Sequence, residues 1–270
     1  MRYTIFGGTG FIGSHFVSNL KDVAQVYIPP RKGADWREED LGIVLYCAGH
    51  GDCAGKPGEV FDANTRLLWD VLDNGKFDRL LYLSSTRLYL NSSSSDEDSP
   101  LTIYPSDARR LFNISKLHAE ELCLRCGKDI VIVRPSNVYG MALDSPLYLP
   151  SITRDAINRG KIEMYVPKDY SKDYVSVHDL VDAVLELSVI GAPKHRIYNV
   201  ASGFNMSAEQ VGDILQAETN CDVVWHQSKY TESFPKISIE RISREIRYEP
   251  RSLKDDLAYM VSQFKTALGR

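Results

Sequence analysis

Gly7, Gly10 and Gly13 separate a short apolar run, Tyr3-Thr4-Ile5-Phe6, from an amphipathic stretch running from Phe11 to Leu20. Strand, tight turn and helix in that order leave few folds open. Glycines at this spacing let the turn stay tight, let backbone come close to a pyrophosphate, and let the helix pack hard against the strand. The helix N-terminus then offers free N–H groups and a positive dipole end to the phosphates. The strand-to-helix setting is what gives the glycine pattern its meaning. Gly7, Thr9, Gly10, Phe11, Ile12 and Gly13 are the residues that would line such a site, and its expected ligand is a dinucleotide.

Downstream, the chain keeps alternating. Apolar runs at Val26–Ile28, Ile43–Cys47, Leu80–Leu83 and Ile130–Val133 read as buried parallel strands. Between them lie helical patterns. In Glu59–Asn74, Val60, Phe61, Asn64, Leu67, Leu68, Val71 and Leu72 recur at helical spacing, and a second helix is expected over Asp107–Arg125. Such alternation predicts an α/β fold with a doubly wound parallel sheet. From Ile28 to Ile43 there is too little chain for a full crossover helix and strand, so Asp35–Asp40 forms at most a short helical turn. After Tyr139-Gly140 the periodicity weakens. Leu149–Arg159, Ala208–Thr219 and Leu253–Ala267 read as helices, Val175–Val177 and Ile197–Val200 as strands, and Ser92–Ser95 with the following Asp96-Glu97-Asp98-Ser99-Pro100 as a surface loop.

Composition narrows the partners. An apolar content of 43% and a charged content of 25% are those of a globular chain, and 270 residues suffice for a real core. A net charge of −4 gives no reason to expect nucleic acid or an anionic membrane. No apolar run approaches a membrane span and the chain enters a strand without signal-peptide anatomy, so a cytoplasmic location is expected. The five cysteines are then reduced thiols. Cys123 and Cys126 form a C-x-x-C pair inside a helical run with no second pair at matching distance, so no metal site is expected.

Along nearly its whole length the chain resembles the extended short-chain dehydrogenase/reductases, the NAD(P)-dependent sugar-nucleotide epimerases, dehydratases and reductases. The matches occur in the family's order: the glycine turn, Cys47-Ala48-Gly49 at the end of the family's fourth strand, Asn64 in the next helix, and Leu83-Ser84-Ser85-Thr86-Arg87-Leu88-Tyr89. Ser115-Lys116 and Arg134-Pro135-Ser136-Asn137-Val138-Tyr139-Gly140 follow, then Lys172-Asp173-Tyr174-Val175 through Asp179-Leu180, Tyr198-Asn199-Val200-Ala201-Ser202-Gly203, and Tyr248-Glu249-Pro250. The resemblance implies a Rossmann nucleotide-binding domain, expected over residues 1–140 and 166–200. A smaller mixed α/β substrate-binding region is expected over 141–165 and 201–270. It also implies a homodimer in which Glu59–Asn74 and Asp107–Arg125 pair across a two-fold axis, with Trp69, Leu117 and Leu124 as apolar residues off the sheet-facing stripes.

The chemistry implied is hydride transfer between nicotinamide and a sugar carbon, with a proton moving at the attached oxygen. The family's proton carrier is a tyrosine whose phenolate is favoured by a lysine one helical turn on. A serine or threonine hydroxyl holds the carbonyl oxygen. Ser85 is the natural candidate for that hydroxyl, Thr86 the runner-up, and Lys116 is the lysine, which also binds the nicotinamide ribose. The tyrosine position holds Phe112, which has no ionisable proton. Either a Tyr→Phe change has been introduced, or another group such as Tyr104, Tyr89 or His50 carries the proton, or the reaction has been lost and the fold retained.

Cofactor choice follows from the second strand, where an acidic residue about 20 residues past the glycines would accept from a ribose 2′-OH. Here Tyr27-Ile28-Pro29-Pro30 leads into Arg31-Lys32, two cations suited to a 2′-phosphate. NADP(H) is therefore favoured, with NAD(H) the alternative. Cys47, Ala48, Gly49 and Pro135 complete the expected cofactor contacts. Dehydratases of the family carry an acid pair after the serine; Thr86-Arg87 stands there instead, which argues against dehydration. Asn137, Lys172 and Arg241 are the expected contacts to the diphosphate of a nucleotide-linked sugar. The sequence thus reads as an NADP-dependent reductase of a 4-keto-6-deoxy sugar nucleotide. An epimerase with retained NAD and a non-catalytic NADP-binding sensor are the alternatives.

Overall fold

A computed structural model describes residues 1–30, 36–228 and 231–270. Strand β1 (Arg2–Phe6) leads through the glycine turn into helix α1 (Phe11–Leu20), and β2 (Gln25–Tyr27) and β3 (Ile43–Tyr46) follow. Helices α2 (Pro57–Phe61) and α3 (Leu67–Asn74) are joined by a wide π-helical turn, Asp62–Arg66. Next come β4 (Arg79–Leu83), a 3₁₀ turn at Thr86–Tyr89, α4 (Arg110–Arg125) and β5 (Ile130–Pro135). The remainder comprises β6 (Asn137–Tyr139), α5 (Tyr148–Arg159), β7 (Lys161–Met164), β8 (Ser171–Ser176), α6 (Val177–Val189) and β9 (Ile197–Val200). Then follow β10 (Asn205–Ser207), α7 (Ala208–Thr219), β11 (Asp222–Trp225), α8 (Glu240–Glu245) and α9 (Leu253–Ala267).

Six parallel strands form the main sheet in the order β2-β1-β3-β4-β5-β9. Side chains alternate between its faces. Tyr3, Ile5, Leu45, Leu81 and Val131 pack under α1 and α6 through Phe16, Leu180, Val184 and Leu187. Phe6, Val44, Tyr46, Tyr82 and Ile132 pack against α3 and α4 through Leu68, Val71, Leu72, Ala119 and Cys123. With helices on both faces this is a Rossmann-like, doubly wound sheet. Pairings Phe6↔Tyr46, Tyr46↔Tyr82 and Leu83↔Val133 keep the strand ends nearly level, so the glycine turn, Cys47 and Ser84 emerge along one edge. The strand order reverses between β1 and β3, which opens a crevice at their carboxyl ends.

A three-stranded sheet, β10-β8-β6, and the parallel pair β7–β11 lie beyond that edge. A second core of Leu149, Ile152, Ile162, Met164, Leu215, Leu257 and Phe264 holds α5, α7 and α9 there. Ile242 of α8 and Ile246 just after it pack instead into the core of the main sheet. Among the described residues no helix is long and apolar enough to cross a membrane.

Several boundaries differ from the sequence reading. Cys47 follows the third strand, because among the described residues no strand lies between β2 and β3; a 3₁₀ turn, Trp36–Glu38, fills part of that gap. The stretch Asp107–Arg109 is a turn, and α4 begins at Arg110. Phe61 lies outside the buried stripe at 52% exposure while Asn64 is fully buried, because the π turn rotates the helix face between them. Val177 is not strand: Ser176 Oγ accepts from the His178 backbone N–H and starts α6. The spacing of Val177, Leu180, Val181, Val184 and Leu187 carried that helix signal, and the Val-Ser-Val run hid it.

Candidate active site

The turn after β1 is shaped for a phosphate. Gly7 has φ +79°, and a Cβ there would lie 2.7 Å from the Ala48 backbone nitrogen. A Cβ on Gly13 would lie 2.2 Å from Gly7 O, so α1 packs on the turn only because position 13 is bare. Gly10 caps α1 without a side-chain bond, and the first turn of α1 carries no acidic residue, so the helix N-terminus keeps its N–H groups and dipole for an anion. Thr9 and Gly10 are exposed at the mouth, whereas Phe11 and Ile12 are half-buried; Phe11 packs close to Gly140. These residues fit a dinucleotide pyrophosphate. Arg31 and Lys32, on which the 2′-phosphate expectation rests, lie outside the described residues.

The loop after β3 is held from the helical side. Asn64 Oδ1 accepts from the His50 backbone N–H at 2.9 Å, and its Nδ2 donates to His50 O at 3.2 Å and to Ser115 Oγ at 2.9 Å. This joins Cys47-Ala48-Gly49 to α4. Lys116 Nζ donates to Leu83 O at 2.7 Å and lies where a Cβ on Gly49 would come within 3.7 Å of it. It lies over the Tyr82 ring at 4.9 Å and over the Phe112 ring at 5.8 Å, and makes no ion pair among the described residues. Burial lowers its pKa to about 8, with Glu120 opposing that shift.

From Leu80 to Leu90 every residue but Ser85 is buried. Ser85 stands as N-cap of the 3₁₀ turn, its Oγ accepting from the Arg87 backbone N–H at 3.1 Å, and it still keeps access to solvent. Thr86 is 6% exposed. Lys116, beside the Phe112 ring, is thus tied to Leu83, two residues before Ser85, and of the two hydroxyls Ser85 is the more open. Pro135 ends β5 in the buried interior beside Val200.

Beneath the site runs a buried polar chain. Ser84 Oγ donates to Glu120, Glu120 pairs bidentately with Arg134 at 2.6 and 2.9 Å, and Arg134 Nη1 donates to Tyr89 Oη at 2.7 Å. Tyr89 Oη donates to Asn199 Oδ1 at 2.9 Å, and the Asn199 backbone N–H donates to Glu97 Oε1 at 2.9 Å. Tyr89 is fully buried and burial pushes its pKa up to about 12, so it is a structural phenol. Arg134 likewise serves the fold. Tyr104 Oη donates to Asn91 O at 3.3 Å, and His50 Nε2 lies 3.9 Å from Glu59 Oε2.

Toward the smaller sheets the cleft is cationic. Arg87 is bound by Glu232 at 2.8 and 3.2 Å and by Asp107 at 2.8 Å. Lys172 Nζ lies over the rings of Tyr170 and Phe234 at 5.0 and 5.2 Å and makes no ion pair among the described residues. Burial lowers its pKa to about 8; Arg87 and Arg109 push the same way and Glu232 opposes. Asn137, exposed on β6, donates to Asp173 O at 2.7 Å, next to Lys172. Arg241 is placed elsewhere: Glu97 at 3.5 Å and Asp98 engage it, and it lines a cavity of about 700 Å³ with Lys194 and Arg244, apart from Asn137 and Lys172. Missed by the sequence reading were Arg109, Glu120 and Glu232. Arg109 was detectable, since it precedes Phe112 by three residues at the start of α4.

The family model "NAD dependent epimerase/dehydratase family" matches residues 3–201. The chain belongs to that family. It is an enzyme of the NAD-dependent epimerase/dehydratase group, with a nicotinamide cofactor. A Streptomyces dTDP-4-dehydro-6-deoxy-D-allose reductase is 23% identical over 265 residues, covering 79% of each chain. MoeE5, solved in complex with UDP-glucose and NAD, superposes with a TM-score of 0.85 at 17% identity, covering 99% of this chain and 100% of that one. RMD from Pseudomonas aeruginosa, complexed with NADPH, gives a TM-score of 0.79 at 21% identity, covering 98% of this chain and 99% of that one. At these identities the solved structures establish the fold.

Proposed function

We propose that this enzyme is an NADP-dependent oxidoreductase that reduces the keto group of a nucleotide-linked 4-keto-6-deoxy sugar. The observation that carries the reading is the convergence of the open Ser85 hydroxyl, position 112 and the buried Lys116 ammonium at the carboxyl edge of the sheet. In this reading the glycine turn, Cys47, Ala48, Gly49, Lys116 and Pro135 hold the cofactor, and Arg31 and Lys32 take its 2′-phosphate. The bound reduced nicotinamide supplies the hydride. Ser85 orients the carbonyl oxygen, and Lys172 with Asn137 meets the diphosphate. Lysine in place of the family's arginine keeps the charge at position 172 without the bidentate fork. The name of the Streptomyces relative supports the 4-keto-6-deoxy assignment.

Residues 1–140 and 166–200 form the nucleotide-binding part in this reading, and 141–165 and 201–270 the substrate-binding part. The enzyme works in the cytoplasm as a homodimer. Purified protein is incubated with NADPH and a panel of 4-keto sugar nucleotides while the reduced-nicotinamide absorbance is followed. Loss of that band in step with sugar reduction is the expected outcome. Interconversion of sugars with no net cofactor consumption would replace this reading with an epimerase that retains NAD.

A further inference from the structure

Phe112 leaves the reacting oxygen without a phenol, yet a guanidinium stands next to it. Arg109 Cζ lies 4.8 Å from the centre of the Phe112 ring. Its Nη2 reaches across to the loop after β3, where a Cβ on Gly51 would come within 3.7 Å of it. Arg109 therefore bridges the start of α4 and the loop that carries Gly49, beside Phe112, whose ring also faces Lys116 Nζ at 5.8 Å, and Lys116 in turn is tied to Leu83 O two residues before Ser85. Its side chain makes no hydrogen bond or ion pair among the described residues. The nearby carboxylates are already engaged: Asp107 binds Arg87 Nη2, the Arg109 backbone N–H and Asn113 Nδ2, each at 2.8 Å, and Glu232 binds Arg87. The neighbouring Arg87 repels it as well. A guanidinium left unpaired beside a second cation is suited to an anion that forms only during the reaction.

On the keto-sugar reading above, we infer that Arg109 is a catalytic residue that holds the oxyanion in place of the missing phenol. As the new C–H bond forms at the carbonyl carbon, the C=O π pair moves onto oxygen. Ser85 Oγ–H and an Arg109 N–H both donate to that oxygen. A solvent water molecule, which reaches the exposed Arg109, then gives the proton that completes the hydroxyl, and the buffer neutralises the hydroxide left behind. Arg109 keeps its own protons throughout.

The test compares wild type, Arg109→Gln, Phe112→Tyr and the double variant. Three quantities are read: turnover, NADPH affinity from nicotinamide fluorescence, and sugar-nucleotide affinity by calorimetry. Arg109→Gln is expected to lower kcat by about 10²-fold or more, as removal of one oxyanion donor does, with both affinities unchanged. Adding Phe112→Tyr should restore most of the loss, because a phenol beside Lys116 brings both a donor and a proton. An active wild type with a silent Arg109→Gln overturns this inference alone. So does a loss of kcat that the phenol fails to rescue, or a rise in KM at constant kcat. A wild type that binds NADPH and sugar nucleotides but reduces no keto sugar overturns the keto-sugar reading, and this inference falls with it.

Discussion

Lys116 Nζ lies 5.8 Å from the centre of the Phe112 ring, one helical turn before it on α4, and is tied to Leu83 O at 2.7 Å. Position 112 is thus within the field of a buried ammonium but has no proton for it to act on. Phe112→Tyr places a phenol there whose pKa the ammonium draws down toward the working pH. Turnover of a 4-keto sugar nucleotide is expected to rise by about 10²–10⁴-fold. Unchanged turnover in a folded, NADPH-binding variant would show that position 112 does not face the reacting oxygen.

The lysines at 116 and 172 set the pH response. Both have pKa values lowered to about 8, chiefly by burial. Below that pH the ammonium is charged and able to hold a ribose hydroxyl or a diphosphate; above it the charge is lost. Affinities for NADPH and for nucleoside diphosphates should therefore both fall as pH rises through about 8, by calorimetric titration. For folding the sign is opposite. The native state binds fewer protons than the unfolded chain between about 8 and the ordinary lysine value of 10.5, so these two groups make stability rise with pH across that window. Affinities that stay level from about pH 7 to about pH 9 would remove the two ammonium groups from ligand binding.

Below the site, Glu120 and Arg134 form an ion pair with side chains 2% and 3% exposed. Removing one partner strands a buried charge, which costs about 3–5 kcal/mol. Glu120→Ala should lower unfolding stability by that order in urea titration. Tyr89→Phe, which orphans Asn199 Oδ1 and one Arg134 donor, should cost about 1–3 kcal/mol. A loss for Glu120→Ala no larger than that of a surface substitution would contradict the buried network.

Gly13→Ala should abolish NADPH binding, because the added Cβ would meet the backbone oxygen of Gly7 at 2.2 Å, a clash relieved only by moving the turn or the helix. Gly58, by contrast, has no atom within 4 Å of an added Cβ, so Gly58→Ala serves as the control and should bind normally. Fluorescence titration of the two variants decides it. Equal affinities would place the cofactor elsewhere.

Trp69 on α3 and Ile114 on α4 are 47% and 45% exposed, and Phe61 on α2 is 52% exposed; Leu117 and Leu124 are half-buried. A homodimer formed through these helices should give a light-scattering mass of twice 30.4 kDa at micromolar concentration, and Trp69→Glu should shift it toward the monomer. A wild-type monomer mass would exclude the assembly.

What the sequence determined by itself was local. The glycine turn, the apolar runs that became β3, β4 and β5, and the Phe112-to-Lys116 spacing all depend on contacts between residues close along the chain, where periodicity and steric freedom are read directly. So the Rossmann-like sheet was legible, and Ser85 and Lys116 could be singled out as site candidates. The rest was decided by contacts between distant segments. Arg134 carries a conspicuous motif, yet Glu120 and Tyr89 draw it into the interior. Arg241, expected to meet a diphosphate, is paired instead with Glu97 and Asp98. Arg87 is neutralised by Asp107 and by Glu232, 145 residues away, whereas Arg109, Lys116 and Lys172 make no ion pair among the described residues. Which charge is matched and which is left open is a property of through-space pairing, and only the tertiary structure fixes the pairs.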